Sequence, residues 1–316
     1  MKSDPRIDSG VVIHGGVGTI AQEQMTEVLE SEYRSVLAES LGAGHEALSG
    51  GGRAVDAAVA AVRVMEDSEL FNAGRGSNFD ERGVVSMDAS IMDGSALDAG
   101  AVAGVTDIRH PIELARLVME CSDHVLLIGD GAEAFARNQG IESTDPSFFH
   151  TDLRWSDLQS AKERSGARPN VLGDPDATDK SGTVGAVARD RAGRLAAATS
   201  TGGMANKTWG RVGDSPIIAA GTYASSLCAV SCTGWGEYFI RHVVAYDVHA
   251  RMEYGRASLL EAVHGVIWET LEKAVSGSGG LVAIDAEGHV AFGFNTPGMY
   301  RGWVDAEGRI EVAIYG

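Results

Sequence analysis

A threonine directly behind a glycine opens a strand-like run, Gly182-Thr183-Val184-Gly185-Ala186-Val187-Ala188, just downstream of a long polar stretch. If the bond before Thr183 were cut, one residue would supply both a nucleophile, its hydroxyl, and a base, its new α-amino group. Such an amine titrates near about 8, against about 10.4 for a lysine, so much of it is already the free base at neutral pH. A threonine ahead of a strand is equally an ordinary β-former, and position alone leaves both readings open. Arg211 and Asp214 stand three apart in a glycine-bounded loop, where the default is a surface ion pair of little energetic value. Thr201 and Thr233 each precede a glycine at the end of an apolar run, where a hydroxyl bonding the local turn is the default.

Longer motifs decide among these readings. Gly182-Thr183-Val184-Gly185-Ala186-Val187, Ala197-Ala198-Thr199-Ser200-Thr201-Gly202-Gly203, Gly210-Arg211-Val212-Gly213-Asp214-Ser215-Pro216 and Ser231-Cys232-Thr233-Gly234 resemble the plant-type asparaginase and isoaspartyl peptidase family of N-terminal nucleophile hydrolases. Upstream, Ile13-His14-Gly15-Gly16-Val17-Gly18, Leu70-Phe71-Asn72-Ala73-Gly74, Met87-Asp88-Ala89-Ser90-Ile91-Met92-Asp93-Gly94 and Gly100-Ala101-Val102-Ala103-Gly104-Val105 follow in the same order. The resemblance spans nearly the whole chain. It implies a four-layer αββα sandwich of the α/β class, matured by cleavage between Gly182 and Thr183 into an α subunit of residues 1–182 and a β subunit of residues 183–316 that together form one structural domain.

Roles carried over by the resemblance follow the motifs. Thr183 is the nucleophile, Thr201 sits beside it, and Thr233 with Gly234 forms the oxyanion hole. Arg211 grips a substrate α-carboxylate and Asp214 its α-ammonium, while Gly234 and Gly236 line the pocket and Asn72 supports the nucleophile. The family's sodium loop corresponds to the backbone carbonyls of Met65, Ser68, Phe71, Ala73 and Arg75, and no organic cofactor is expected. Substrates are β-aspartyl dipeptides and L-asparagine, and the assembly is a homodimer of αβ units. A glycosylasparaginase-type amidase and an uncleaved homologue acting as a binding protein are the alternatives. Two departures bear on this: Asp179-Lys180-Ser181 precedes the cleaved bond where many relatives carry a histidine, and Trp235 stands between the two pocket glycines.

Composition narrows the partners. A formal charge of −18 opposes nucleic acid and anionic membrane, both of which select basic surfaces. The first ten residues lack the apolar centre of a signal peptide, and three cysteines, Cys121, Cys228 and Cys232, suit a reducing compartment, so a soluble cytoplasmic protein is expected. Glycine accounts for 41 of 316 residues and clusters in doublets, as tight turns and close backbone approaches require. None of the nine histidines has metal-site spacing, and His14 is expected to pack beneath its glycine turn.

The elements that must position these groups show in the hydrophobic period. Helices are predicted over 25–49, 53–67 and 111–120, then 236–254 and 258–276. Strands are predicted near 11–14, 84–92, 99–105, 125–128, 184–189, 195–200, 217–221, 229–232, 280–285, 289–294 and 310–314. From Glu142 to Ser181 the composition turns polar, and a 40-residue linker with no elements of its own is expected. Gly129-Asp130-Gly131-Ala132-Glu133-Ala134 imitates a dinucleotide-binding turn, but the acidic partner about 20 residues on would fall in that linker, which argues against it.

Overall fold

The computed structural model describes residues 5–18, 22–167 and 182–316. In chain order the elements are β1 (Gly10–Val17), α1 (Glu27–Ser49), α2 (Ala54–Asp67), β2 (Met87–Asp93), β3 (Asp98–Val105), α3 (Pro111–Cys121), β4 (Leu126–Ile128), α4 (Gly129–Asn138) and α5 (Asp152–Ala167). Then come β5 (Val184–Arg189), β6 (Leu195–Thr201), β7 (Thr222–Ala224), β8 (Cys228–Gly234), α6 (Gly236–His242), α7 (Val244–Glu253) and α8 (Leu259–His264). The last helix continues as a π-helical stretch (Gly265–Leu271) and α9 (Glu272–Ala274) before β9 (Gly279–Asp285), β10 (Val290–Phe294), β11 (Gly298–Val304) and β12 (Ile310–Tyr315).

Strands of one eight-stranded sheet run in the order β12-β11-β1-β5-β6-β2-β3-β4, and a second sheet runs β10-β9-β8-β7. Period-two alternation sorts each strand between two cores. On β1, Val11 and Ile13 face α1 and α2, whereas Val12 joins Val187, Ala197, Ala229, Val282 and Ile284 between the sheets. On the far side Cys228, Val230, Leu281 and Ala283 pack against Val248, Leu259 and Val263 of α7 and α8. Helix, sheet, sheet, helix is therefore the layer order, the αββα sandwich that the resemblance implies. Cys228 and Cys232 lie buried in this core.

Several local expectations fail for identifiable reasons. The stretch expected to be a featureless linker holds a 3₁₀ turn at Pro146–Phe149 and helix α5. Phe149 and Leu158 are fully buried there, Arg154 is nearly so, and Trp155 packs edge-on to Phe79. Polar composition hid a helix that needs only one anchoring face. The run at 217–221 is a turn with Ala219 at φ 80°, and the strand starts at Thr222. The helix expected over 236–254 breaks at Val243, which is left-handed at φ 50°. Strand β11, missed because glycines and an arginine interrupt its apolar pattern, pairs antiparallel with β1 and β12. The residues before the cleavage point, including Asp179, Lys180 and Ser181, lie outside the described residues. The Gly129–Ala134 stretch is the start of α4, following the sheet's outermost strand, β4. No helix among the described residues is long and apolar enough to cross a membrane.

Candidate active site

Antiparallel pairing of β5 with β6 sets Val184 opposite Ser200, which brings the next pair outward, Thr183 and Thr201, face to face at the open end of the ladder. The Thr183 hydroxyl donates to Thr201 Oγ1 at 3.1 Å, and Ser215 Oγ lies 3.5 Å away, at the outer limit of a hydrogen bond. Thr183 is 8% exposed, accessible enough to react but shielded from bulk water.

Every peptide group of the adjoining Gly202-Gly203 turn has a partner. Gly202 N donates to Asn72 O, and Gly202 O accepts from Lys207 Nζ at 2.8 Å. Gly203 N donates to Thr201 Oγ1 at 3.0 Å, and Gly203 O accepts from the Asn72 and Asn78 side-chain amides, each at 2.8 Å. Asn72 thus acts on Thr201 through this turn. Lys207 is nearly buried, and desolvation pushes its pKa down against the opposing attraction of Asp88. One residue before Thr201 on β6, the Ser200 hydroxyl donates to Glu66 Oε1 of α2 at 2.6 Å.

Gly182 is confined by close approach. A Cβ there would overlap Gly16 Cα and sit 2.7 Å from both Val17 N and Val17 O. Glycine at this position leaves room for that backbone. Val17 N in turn donates to Thr233 Oγ1 at 3.3 Å, which places Thr233 across from the Gly182-Thr183 bond. Gly234, at φ 150°, has no space for a side chain beside Ser278 O and Gly279 Cα.

Arg211, Asp214 and Gly236 converge on one spot: a Cβ on Gly236 would lie 2.8 Å from an Arg211 nitrogen and 2.9 Å from Asp214 Oδ1. Asp214 is 3% exposed, and its Oδ2 has no hydrogen-bond partner among the described residues. Burial pushes its pKa up to about 7, with the Arg211 charge pulling the other way. Arg211 donates in a fork to Glu237, Nε to Oε1 at 2.9 Å and the terminal nitrogen to Oε2 at 2.8 Å. This cluster therefore contains a carboxylate, Glu237, that sequence reasoning passed over, although its place in the first turn of α6 is a visible signal. Ser215, Lys207 and Asn78 were passed over as well, each within or a few residues from a quoted motif.

His14 departs from expectation. It does not simply pack beneath a turn: its Nδ1 lies 3.0 Å from Thr183 O and its Nε2 2.9 Å from Ser231 Oγ. Burial pushes its pKa down to about 3, so the ring is neutral at physiological pH.

A hydroxyl paired with a second hydroxyl, and joined through Ser215 to the neighbouring buried Asp214 carboxyl and the guanidinium beside it, is an arrangement suited to acyl transfer on a zwitterionic amino acid. Comparison with known proteins agrees with that chemistry. A family model described as asparaginase matches residues 7–314. The isoaspartyl peptidase of Salmonella typhimurium is 50% identical over 307 residues, covering 96% of this chain and 98% of that protein. The isoaspartyl peptidase of Escherichia coli K12 is 50% identical over 307 residues, covering 96% and 95%. A plant-type L-asparaginase of Pyrococcus abyssi is 40% identical over 304 residues, covering 92% and 94%. With the layered fold and the ordered motifs, these matches establish that the chain belongs to the plant-type asparaginase family of N-terminal nucleophile hydrolases.

Proposed function

We propose that this protein is an autoprocessed threonine amidohydrolase that cleaves β-aspartyl dipeptides and L-asparagine, releasing L-aspartate. The observation that carries the reading is the pairing of the Thr183 and Thr201 hydroxyls beside the buried, unpartnered Asp214 oxygen. In maturation, Thr183 Oγ attacks the Gly182 carbonyl and the amide nitrogen leaves as the new α-amine. Water then hydrolyses the resulting ester. In turnover, the α-amine takes the hydroxyl proton as Oγ attacks the substrate's β-carbonyl, and the proton passes to the leaving amine or ammonia. Water, giving a proton to the same amine, then attacks the β-aspartyl ester, and the Thr183 oxygen leaves, recovers that proton and frees L-aspartate. Thr201 supports the hydroxyl, and Thr233 with Gly234 receives the developing oxyanion, where most rate gain arises. Arg211 takes the α-carboxylate and Asp214 the α-ammonium, with Gly236 leaving them room. Intact-mass measurement of the purified protein tests this: fragments of 182 and 134 (316 − 182) residues are expected, and a wholly uncut, inactive chain favours the binding-protein alternative.

The Asp214 shift has a pH consequence. Its carboxyl is neutral below about 7 and cannot then ion-pair with an ammonium group. L-Aspartate inhibition is expected to strengthen as pH rises through 7, and Asp214→Asn to flatten that dependence. For the unliganded protein the sign reverses. The folded state keeps a proton that the unfolded carboxyl releases near about 4, so this residue's contribution to stability falls as pH climbs from about 4 to 7.

Trp235 caps α6 with its ring edge-on to Tyr238, centroids 5.9 Å apart, and half-buried beside Gly234. A dipeptide's leaving residue can use that surface, and ammonia cannot. Trp235→Thr is expected to reduce the preference in kcat/KM for apolar β-aspartyl dipeptides over L-asparagine by about 1 kcal/mol, roughly fivefold. Equal ratios in the two enzymes oppose this.

The proposal extends to a structural sodium ion held by the carbonyls of Met65, Ser68, Phe71, Ala73 and Arg75. What supports it is the side-chain-free face of Gly76, where a Cβ would overlap the Phe71 carbonyl and meet those of Glu69 and Ser68 at 2.8 and 2.9 Å. Oxygen donors of this kind suit a hard cation, whose chemistry there is to neutralise the converging dipoles. Arg154 holds the same loop from α5, donating to Gly76 O and Leu70 O. A cytoplasmic homodimer of αβ units completes the reading, supported by the resemblance.

A further inference from the structure

We infer that His14 is a positioning residue for the nucleophile: it holds Thr183 by its backbone carbonyl, and a chain of buried hydroxyls between the sheets fixes which ring nitrogen carries the proton. The inference rests on the cleaved-threonine reading above. A carbonyl only accepts, so the nitrogen 3.0 Å from Thr183 O must be the N–H, and Nε2 is left to accept from Ser231 Oγ. Behind Ser231 the hydroxyls continue, Thr199 at 2.7 Å, Thr222 at 2.6 Å and Ser90 at 2.7 Å, with backbone carbonyls as further acceptors, Ala198 O at 3.1 Å from Ser231 and Ser215 O at 2.6 Å from Ser90. The five side chains come from β1, β8, β6, β7 and β2, and all are completely buried. A satisfied network in so apolar a setting is costly to rearrange.

The geometry of Gly185 supports the same contact independently. A Cβ there would overlap Ser231 Oγ and lie 2.5 Å from His14 Nε2, so the glycine two residues beyond the nucleophile makes room for this pair. Cleavage gives the bond its importance. In the intact chain Thr183 is tethered on both sides, but after cleavage it is a chain end whose amine and hydroxyl swing with rotation about its Cα–C bond. Holding the carbonyl fixes the peptide plane and so the axis about which the amine and hydroxyl turn, and the Thr201 contact then sets the angle. Misplacement of a reacting group by about 1 Å can cost on the order of a hundredfold in rate.

The test joins an activity-independent readout to variant kinetics. Long-range ¹H–¹⁵N NMR at neutral pH is expected to show His14 as the neutral Nδ1–H tautomer, with assignment by difference from His14→Asn. His14→Ala is expected to lower kcat on a β-aspartyl dipeptide roughly ten- to a hundredfold with KM within about threefold. His14→Asn, whose amide N–H takes the place of Nδ1–H, is expected to return kcat to within about fivefold of wild type. Should His14→Ala not fold, Ser231→Ala serves: the other tautomer gains population and kcat falls. An Nε2–H tautomer in wild type overturns the inference, as does wild-type turnover by His14→Ala, no rescue by asparagine, or a Ser231→Ala enzyme unchanged in tautomer and rate. An uncut, inactive wild type instead contradicts the cleavage reading, while the tautomer still reports on the contact itself.

Discussion

Thr183→Ala is expected to remain a single 316-residue chain and to lose at least about 10⁴-fold in amide hydrolysis, the scale on which nucleophile removal acts in enzymes of this logic. Both losses trace to one oxygen. In the proposed mechanism the hydroxyl that donates to Thr201 at 3.1 Å attacks the Gly182 carbonyl in maturation and the substrate carbonyl in turnover. Alanine removes that oxygen and little else, because the Val184–Arg189 strand retains its ladder to both neighbours. The fold should therefore survive, with thermal unfolding close to that of the uncut wild-type precursor. Thr183→Ser keeps the oxygen and should still cut, so the pair separates chemistry from packing. Efficient cleavage of the alanine variant at the Gly182-Thr183 bond would sink the mechanism, since no other group is proposed to open that amide.

The proposed nucleophile was legible as a candidate because its surroundings are written locally. A glycine, a threonine and an alternating strand form one continuous motif, and Thr201 and Thr233 likewise end strands whose period can be read directly. The clamp was legible in part. Arg211 and Asp214 share a loop, but Glu237 meets Arg211 from 26 residues away, a distance set by how the β8–α6 junction folds back over the loop. His14 was visible as a residue and opaque in its role, because its partners at Thr183 and Ser231 are 169 and 217 positions distant. The room that Gly182 provides was likewise invisible: the Gly16–Val17 backbone that crowds it belongs to another strand, and crowding from elsewhere leaves no trace in local sequence. Helix α5 escaped detection since a few buried positions, Arg154 and Leu158 together with Phe149 of the preceding turn, suffice to dock it while most of its other positions are polar.

Arg211→Ala should cost more than one lost contact, because the guanidinium stands between two carboxylates. Its side chain is 18% exposed and forked onto Glu237, and its charge partly offsets the burial that raises Asp214. Losing a charge-assisted contact to the substrate α-carboxylate accounts for about 1.5–3 kcal/mol, roughly ten- to over a hundredfold in kcat/KM. Asp214 then loses its stabilising cation, rises further in pKa and meets the substrate ammonium as a neutral acid at pH 7, adding to the loss. Arg211→Lys should repair little, since an ammonium cannot span Glu237 and a substrate carboxylate with planar forks. Cleavage at Gly182-Thr183 uses neither group and should proceed normally, so the damage appears in KM and in L-aspartate affinity rather than in maturation. Adding Glu237→Gln to Arg211→Ala removes one of the two stranded carboxylates and should recover part of the lost affinity by easing the ionisation of Asp214. Normal hydrolysis of β-aspartyl dipeptides by Arg211→Ala refutes the clamp, and an equal loss in the single and double variants shows that Glu237 holds the arginine without any electrical influence on Asp214.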